Sequence, residues 1–311
     1  MPQKEKIGII IPTKDRPDDL IRALKSIAGQ EYHPDRVVVV DGGTAPIKDI
    51  VDNFRDFKAE YLRIFPPSLT VQRNAGIRHL IKDVTLIAFF DDDIVLEEGC
   101  LWNMMKFWED APAEVGGASF NLVNEMYKTP TFFERLFLVN TDKPNKILQS
   151  GFQGKVSFVN KTVPADWLVG CAMVYRTKMF NEFIFDEWFS GYSRYEDVDF
   201  SYRVGKKYKM YVVADAKVLH LNRLEDPGFS FKLGKMEYTN RLYFVRKNPE
   251  LSLPLCHWAL FGIFVNNIIR GVLDMDRRYL YRAKGAFAGF LRELSRLEGS
   301  IGHNGKRRGG Q

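Results

Sequence analysis

The sequence predicts an α/β fold, a mostly parallel sheet flanked by helices with a C-terminal helical extension, on three observations. Up to about Phe120, short apolar runs alternate with amphipathic stretches, as strands and their crossover helices do. Several of the runs end in polar or Gly-containing clusters, which is where open α/β sheets bind ligands. Past Arg223 the composition turns to long helical stretches.

In chain order, strands are predicted at Ile7 to Ile11, Val37 to Val40, Tyr61 to Phe65, Thr85 to Phe90 and Val115 to Phe120. These runs are nearly continuous in branched and aromatic residues, which suits strands covered on both faces. Helices are predicted between them at Asp18 to Ala28, Ile47 to Phe54, Thr70 to Ile81 and Glu97 to Glu109. Leu20, Ala23, Leu24 and Ile27 recur at helical spacing, so the first helix lays one face on the sheet. From Asn121 to Thr162 the periodicity fades, and this segment reads as a mobile excursion over the active face. Order returns with a strand at Cys171 to Tyr175, a helix at Asp197 to Lys206 and a strand at Met210 to Val213. Long helices follow at Phe229 to Arg246, Leu255 to Leu273 and Arg277 to Leu297. The expected division is one domain over 1–223, a helical extension over 224–298 and a disordered basic tail over 299–311.

With 311 residues, 45% hydrophobic and 14% aromatic, the chain can bury a substantial core and is neither disordered nor fibrous. A formal net charge of +6 favours anionic partners: phosphorylated substrates, acidic lipid or nucleic acid. Cys100, Cys171 and Cys256 are odd in number and match no metal or redox spacing, so reduced thiols in a cytosolic setting are expected. The polar start, Met1 to Lys6, carries no secretory signature, and a cytoplasmic location is the expectation. Leu251 to Leu273 is the most apolar stretch, but Pro254, His257, Asn266, Asn267 and Arg270 interrupt the roughly 20 apolar residues of a spanning helix. It is expected to pack on the domain or to lie at a membrane surface. The next helix mixes Arg277, Arg278, Arg282, Lys284, Arg292 and Arg296 with Leu280, Phe287, Phe290 and Leu294. That suits either anionic headgroups, giving a peripheral attachment to the cytoplasmic face of a membrane, or a solvated basic face.

The most informative spot is the triplet Asp91-Asp92-Asp93 behind the apolar run Leu86 to Phe90. Carboxylates this close repel one another and persist where a divalent cation or hydrogen-bond donors absorb their charge. An all-oxygen site suits Mg²⁺ or Mn²⁺ bound together with a substrate phosphate. The alternative is a helix cap at Asp93 or Glu97. The first strand runs into Pro12-Thr13-Lys14-Asp15-Arg16 and the second into Asp41-Gly42-Gly43, side by side, where a nucleobase and ribose can dock and Asp41 can accept from a base N–H. Arg73, in Gln72-Arg73-Asn74-Ala75-Gly76, can offer diphosphate oxygens a bidentate contact. Glu196, Asp197 and Asp199 head a helix, where capping explains one acid and proton transfer suits another. His220, after Lys217-Val218-Leu219, can present a neutral imidazole to a metal. Trp167, Trp188 and Tyr195 are candidates for an apolar platform under an acceptor sugar.

Taken in order, Ile9-Ile10-Ile11-Pro12-Thr13 with Arg16, Val38-Val39-Val40-Asp41-Gly42-Gly43, Gln72-Arg73-Asn74-Ala75-Gly76, Phe90-Asp91-Asp92-Asp93, Gly170-Cys171-Ala172-Met173, Glu196-Asp197-Val198-Asp199 and His220 resemble glycosyltransferase family 2. The resemblance implies the GT-A fold over 1–223 and an inverting transfer from a nucleotide-sugar donor, UDP- or dTDP-sugar favoured, to a saccharide or glycolipid acceptor in surface polysaccharide synthesis. By resemblance, Pro12, Thr13, Arg16, Asp41, Arg73, Asp91 and Asp92 face the donor, Asp41 at the base and Asp91 at the ribose. Asp93 binds Mn²⁺ or Mg²⁺, His220 completes the metal shell, Asp197 is the general base, and Gly170 and Glu196 join the aromatic residues on the acceptor side. One departure is Gly42-Gly43 where many members carry a second acid. A nucleotidyltransferase is the nearest alternative, but Pro12 to Arg16 holds no glycine for a phosphate loop. No G-x-G-x-x-G follows the first strand, as a nicotinamide-dependent enzyme needs. A non-enzymatic basic module on nucleic acid or membrane is the third reading; for the enzyme no nucleic-acid partner is expected.

Overall fold

The computed structural model describes residues 5–54, 57, 59–155, 157–221 and 227–305. The chain divides into a sheet unit (1–129, 143–146 and 155–222) and a helical unit (130–142, 147–154 and 223–311).

In the sheet unit the elements are β1 (Ile7–Thr13), α1 (Pro17–Ala28), β2 (Arg36–Asp41), α2 (Lys48–Asp52), β3 (Ala59–Arg63), α3 (Leu69–Leu80), β4 (Leu86–Phe90), β5 (Ile94–Leu96), α4 (Cys100–Asp110) and β6 (Val115–Leu122). After α5 (Phe132–Leu136), which belongs to the helical unit, come β7 (Val163–Pro164), β8 (Ala172–Arg176), α6 (Glu196–Gly205) and β9 (Lys209–His220). The strands lie in the order β3-β2-β1-β4-β8-β6-β9-β5, with β7 against β9. β1 to β4 are parallel, whereas β8 runs antiparallel to both β4 and β6.

Alternation along the strands builds two cores. Ile7, Ile9, Ile11, Val37, Val39, Ala88 and Phe90 pack on one face with Leu20, Leu24 and Ile27 of α1 and Leu101, Met104 and Trp108 of α4. Ile10, Val38, Val40, Ile87 and Phe89 pack on the other with Ile77 and Leu80 of α3 and Phe200 and Val204 of α6. Side chains that point alternately up and down, both times into apolar surroundings, explain why these strands read as continuous hydrophobic runs.

The approach of α3 to β1 depends on Gly76. A Cβ there would sit 2.6 Å from Cγ2 of Ile10. Gly76→Ala gains about 1 kcal/mol of helix propensity but forces an overpacking that costs about 1–3 kcal/mol. A net loss of stability is expected, read as a lower urea midpoint at unchanged slope; an equal or higher midpoint would contradict this packing.

Several boundaries differ from expectation. β3 begins at Ala59, opposite Val37, and ends at Arg63, opposite the last residue of β2, Asp41, leaving Phe65 outside it and 73% exposed. The three-residue β5 is too short to leave a periodic trace, and it pairs with β9 so that Ile94 faces His220. β9 joins the runs predicted at Met210 to Val213 and Lys217 to Leu219 into one strand, with a register shift against β6 between Phe120 and Asn121. The excursion after β6 is anchored: Asn121, fully buried, donates to the carbonyls of Val159 and Ala214 and accepts from the N–H of Val159. The three cysteines are free and buried.

The helical unit holds α5, α7 (Pro227–Lys247), α8 (Leu253–Leu273) and α9 (Arg277–Gly305). α7 and α9 cross at Gly234 and Gly285, each of which leaves its side-chain space to the other helix's backbone. Arg246 pairs with the buried Glu293 across the same contact. α8 starts on a Ser252 cap with Pro254 in its first turn. Residues 299–305 of the expected tail are helical, and 306–311 lie outside the described residues.

Candidate active site

The ends of β1 and β4 are tied together. Thr13 Oγ1 donates to Asp92 Oδ2 at 2.7 Å, and Nη1 of Arg16 lies 3.3 Å from both Asp92 Oδ1 and Asp93 Oδ2. Pro12 is buried within β1, opposite Val40. Asp92 is 4% exposed, and burial, against the opposition of Thr13 and Arg16, pushes its carboxyl up to about 6. Asp93 experiences burial too, but His220 and Arg16 outweigh it and hold its pKa below the usual value. The antiparallel β5/β9 register brings His220 Nε2 to 3.3 Å from Asp93 Oδ1. Burial disfavours the imidazolium, yet Asp93, Asp91 and Glu125 raise the His220 pKa.

On the other side of the triplet, Arg73 of α3 joins three elements. Its Nη2 is 3.2 Å from Asp91 Oδ1 and 2.8 Å from the Gly170 carbonyl, and its Nη1 is 2.9 Å from Glu196 Oε1. Gly170 in turn donates its N–H to Asp197 Oδ2 at 2.8 Å, and Asp197 Oδ1 accepts from the Val198 N–H. A Cβ on residue 170 would stand 2.9 Å from the Asp197 Cβ, so glycine lets this backbone approach the carboxylate. Burial works against the Arg73 charge, but Glu196, Asp91 and Asp197 outweigh it and raise its pKa. Glu196 is pushed up to about 7, by burial first and then by Asp197, with Arg73 opposing.

The three acids of α6 separate by environment. Glu196 is buried on Arg73, and Asp199 is buried on Arg203 at 2.9 Å. Asp197 alone is partly exposed. The acidic triplet and the α6 cluster therefore share one neighbourhood, linked by Arg73 and Gly170.

Other expected roles need correction. Arg73 is 1% exposed, with both Nη atoms on protein oxygens, so it serves as an internal tie between these elements where an outward contact to a diphosphate was expected. The accessible cation beside the triplet is Arg16, whose side chain is 35% exposed. Asp41 is fully buried, and its oxygens accept from the Gly43 N–H at 2.6 Å, the Tyr61 hydroxyl at 2.6 Å and Arg63 at 3.2 Å. It shapes the turn after β2, and a contact with a base requires Tyr61 or Arg63 to yield an oxygen. Trp167 and Tyr195 are each 5% exposed and offer no face to a sugar, whereas Trp188 is 38% exposed. Large aromatic side chains bring so much apolar area that burial is their usual fate, and sequence pattern could not separate these three.

Some contributors left no assignable role in the sequence. Gln72 Nε2 donates to the carbonyls of Thr13 and Val40, pinning the ends of β1 and β2 side by side. Asn74 holds residue 185 by both its amide groups, and Thr70 donates to the Phe189 carbonyl. α3 thereby carries the segment that presents Trp188. Gln72 and Asn74 flank Arg73 in the same motif, and the only available signal was that polar residues occupy a helix stretch facing the sheet.

Among the described residues no group of three or more His, Cys, Asp or Glu side chains is gathered as a ligand set. The pair Asp93 and His220, with Oδ1 of Asp93 buried, fits a Mg²⁺ or Mn²⁺ ion only if a bound phosphate and water supply most of its oxygens.

The chain matches Glycosyl transferase family 2 over residues 8–183. Among solved structures, the mannosyltransferase PcManGT from Pyrobaculum calidifontis, in complex with GDP-Man and Mn²⁺, is similar with a TM-score of 0.56 at 13% identity, covering 94% of this chain and 76% of that one. S. aureus TarS is similar with a TM-score of 0.51 at 15% identity; 85% of this chain is covered but only 43% of TarS. TarS 1-349 in complex with UDP-GlcNAc gives 0.51 at 16% identity, over 94% and 92% of the two chains. No curated protein matches the chain in sequence. With more than half of its length matched by the family and its sheet unit arranged as in these transferases, the chain belongs to glycosyl transferase family 2 and is a glycosyltransferase of the GT-A fold.

Proposed function

We propose that the protein transfers a sugar, with inversion, from a nucleoside-diphosphate sugar to a hydroxyl of a saccharide or glycolipid acceptor in surface polysaccharide synthesis. The observation that carries this is the shared neighbourhood of Asp91, Glu196 and Asp197 around Arg73 and Gly170, with Asp93 following Asp91 on the same turn and paired with His220. The structures of relatives bound to UDP-GlcNAc and to GDP-Man support a nucleotide-sugar donor, and a UDP- or dTDP-sugar is the favoured reading.

In this reading the donor lies across the carboxyl ends of β1, β2 and β4, with Asp91 at its ribose. Arg16 is the cation positioned to meet its phosphates, since it is partly exposed and already sits among the acids. Asp93 and His220 would hold Mn²⁺ or Mg²⁺, which when bound supplies charge stabilisation to the departing diphosphate. Asp197 takes the proton of the acceptor hydroxyl as that oxygen attacks the anomeric carbon opposite the leaving group. Its partial exposure leaves it open to an incoming alcohol, while the Gly170 and Val198 N–H groups fix its orientation. Trp188 is the remaining aromatic candidate for an acceptor platform. The setting proposed is cytoplasmic.

A thermal-shift screen of nucleoside diphosphates and nucleotide sugars, with and without Mn²⁺, tests the reading, because a ligand of the native state raises the apparent melting temperature. A shift with one nucleotide class, enlarged by Mn²⁺, is expected; no shift with any of them overturns it. Asp93→Ala should weaken donor binding at least about tenfold when Mn²⁺ is present, losing a charged metal ligand. Unchanged affinity in that titration would remove Asp93 from the metal shell.

A further inference from the structure

The helical unit exposes an apolar surface that its own packing does not explain. α8 buries Cys256, Ala259, Leu260, Asn267 and Gly271 and turns Trp258, Phe261, Ile268, Ile269, Val272 and Leu273 outward at 40% to 75% exposure. These six fall along one stripe of the helix. At its N-terminal end the stripe continues onto α5. Phe137 stacks on Trp258 with ring centroids 4.7 Å apart, Trp258 Nε1 donates to the Leu136 carbonyl at 2.9 Å, and Phe132 stands 80% exposed. Single exposed apolar residues are ordinary, but a continuous patch over two elements marks an interaction surface.

Charge identifies the occupant. Among the described side chains of α9, its approach and the α8 end, the carboxylates are paired, Asp274 with Arg270, Asp276 with Arg278 and Glu293 with Arg246. Arg277, Lys284 and Arg292 are exposed and make no ion pair among the described residues. Exposed apolar area on α8 together with exposed positive charge on the helix that follows and packs on it complements an anionic bilayer surface. A second copy of the chain would oppose positive charge to positive charge.

By length and composition α8 could cross a membrane, with mean hydropathy 1.3 over its best window. Its inner face, however, is packed on protein, and the helix carries the exposed, charged Arg270 one turn from its end. We propose that the helical unit docks on an anionic bilayer with α8 lying in the plane of the interface, its aromatic and aliphatic stripe inserted among the acyl chains and Arg277, Lys284 and Arg292 among the headgroups. The cytoplasmic setting proposed above makes the contacted leaflet an inner, anionic one, but the docking surface itself stands independently of the donor chemistry.

The test is flotation of the full chain with vesicles of phosphatidylcholine alone and of phosphatidylcholine with phosphatidylglycerol. Two variants accompany it, Arg277→Glu with Lys284→Glu and Arg292→Glu, and Phe261→Ser with Ile269→Ser and Val272→Ser. All six positions are exposed, and circular dichroism with the nucleotide thermal shift verifies that each variant keeps its fold. The native chain should float with the anionic vesicles and stay behind with the neutral ones. Each variant should lower the vesicle-bound to free ratio at least about tenfold, since several headgroup contacts or inserted side chains are lost together. The proposal is overturned if the native chain floats with neither vesicle, if either folded variant floats as well as the native chain, or if the serine variant turns a dimer into a monomer without altering flotation.

Discussion

Asp197→Asn lowers turnover at least about 100-fold, the usual scale for a general base, while leaving donor and metal affinity near the native values. The substitution keeps the size of the side chain, and the carboxamide oxygen can still accept from the Gly170 N–H, so the loop around Gly170 keeps its place. What is lost is the capacity to receive a proton, together with the acceptor of the Val198 N–H. Single-turnover kinetics beside nucleotide titration separate the two effects. Near-native turnover would move the base elsewhere, and a parallel loss of donor affinity would show that Asp197 is a structural support. Glu196→Gln is the informative companion. Glu196 is buried against Arg73, so its replacement should reduce stability more than it alters the chemistry of a folded enzyme.

Arg73→Ala is expected to cost about 3–5 kcal/mol of stability, the loss found when one partner of a buried ion pair is removed. Asp91, Glu196 and the Gly170 carbonyl would all lose the same donor. For a chain of this size the melting temperature should fall by at least about 5 °C. The deficit carries a pH signature. In the native protein the folded-state pKa of Glu196 is raised to about 7 from an ordinary 4.5. Its contribution to stability is therefore fully present in acid and is lost as pH rises from the ordinary value through about 7. Removing Arg73 takes away the charge that opposes this shift, so the variant should compare worst with the native chain on the alkaline side. Denaturant unfolding across that range checks it: a deficit below about 1 kcal/mol, the scale of a surface pair, or one that shrinks as pH rises, would mean that Arg73 is not the internal tie described above. Arg73→Lys should recover part of the loss, because an ammonium cannot fork between two acids.

Much of the sheet unit was legible because buried parallel strands and their covering helices leave strong periodic patterns. Ile7 to Ile11, Val37 to Val40 and the α1 stripe of Leu20, Leu24 and Ile27 recur in the two cores as the pattern implied. Strand direction was not legible. β8 is as apolar as its neighbours, and nothing in Ala172 to Arg176 tells whether it enters the sheet parallel or antiparallel. β5 was too short to register.

The residue types around the candidate site were readable as well, since acids clustered behind an apolar run are conspicuous. Their partners were not. Whether Arg73 points to solvent or into the protein depends on Glu196 and Gly170, over ninety residues away, and a helical arginine looks the same in either case. Asp41 shows the same limit: its occupants, Tyr61 and Arg63, come from a strand whose expected start was two residues late. Trp188 is half-exposed and Trp167 buried, and the segment of Trp188 is held by Asn74 and Thr70, contacts far away in the chain.

The short β5 strand has an evolutionary consequence. Because Ile94 is paired with His220, deleting or inserting one residue within β9 beyond its shift would rotate the imidazole to the opposite side of the sheet and separate it from Asp93. Length changes are thus forbidden in the last few positions before His220. Lineages that drift in loop size should still preserve the count along that terminal hairpin-like ladder.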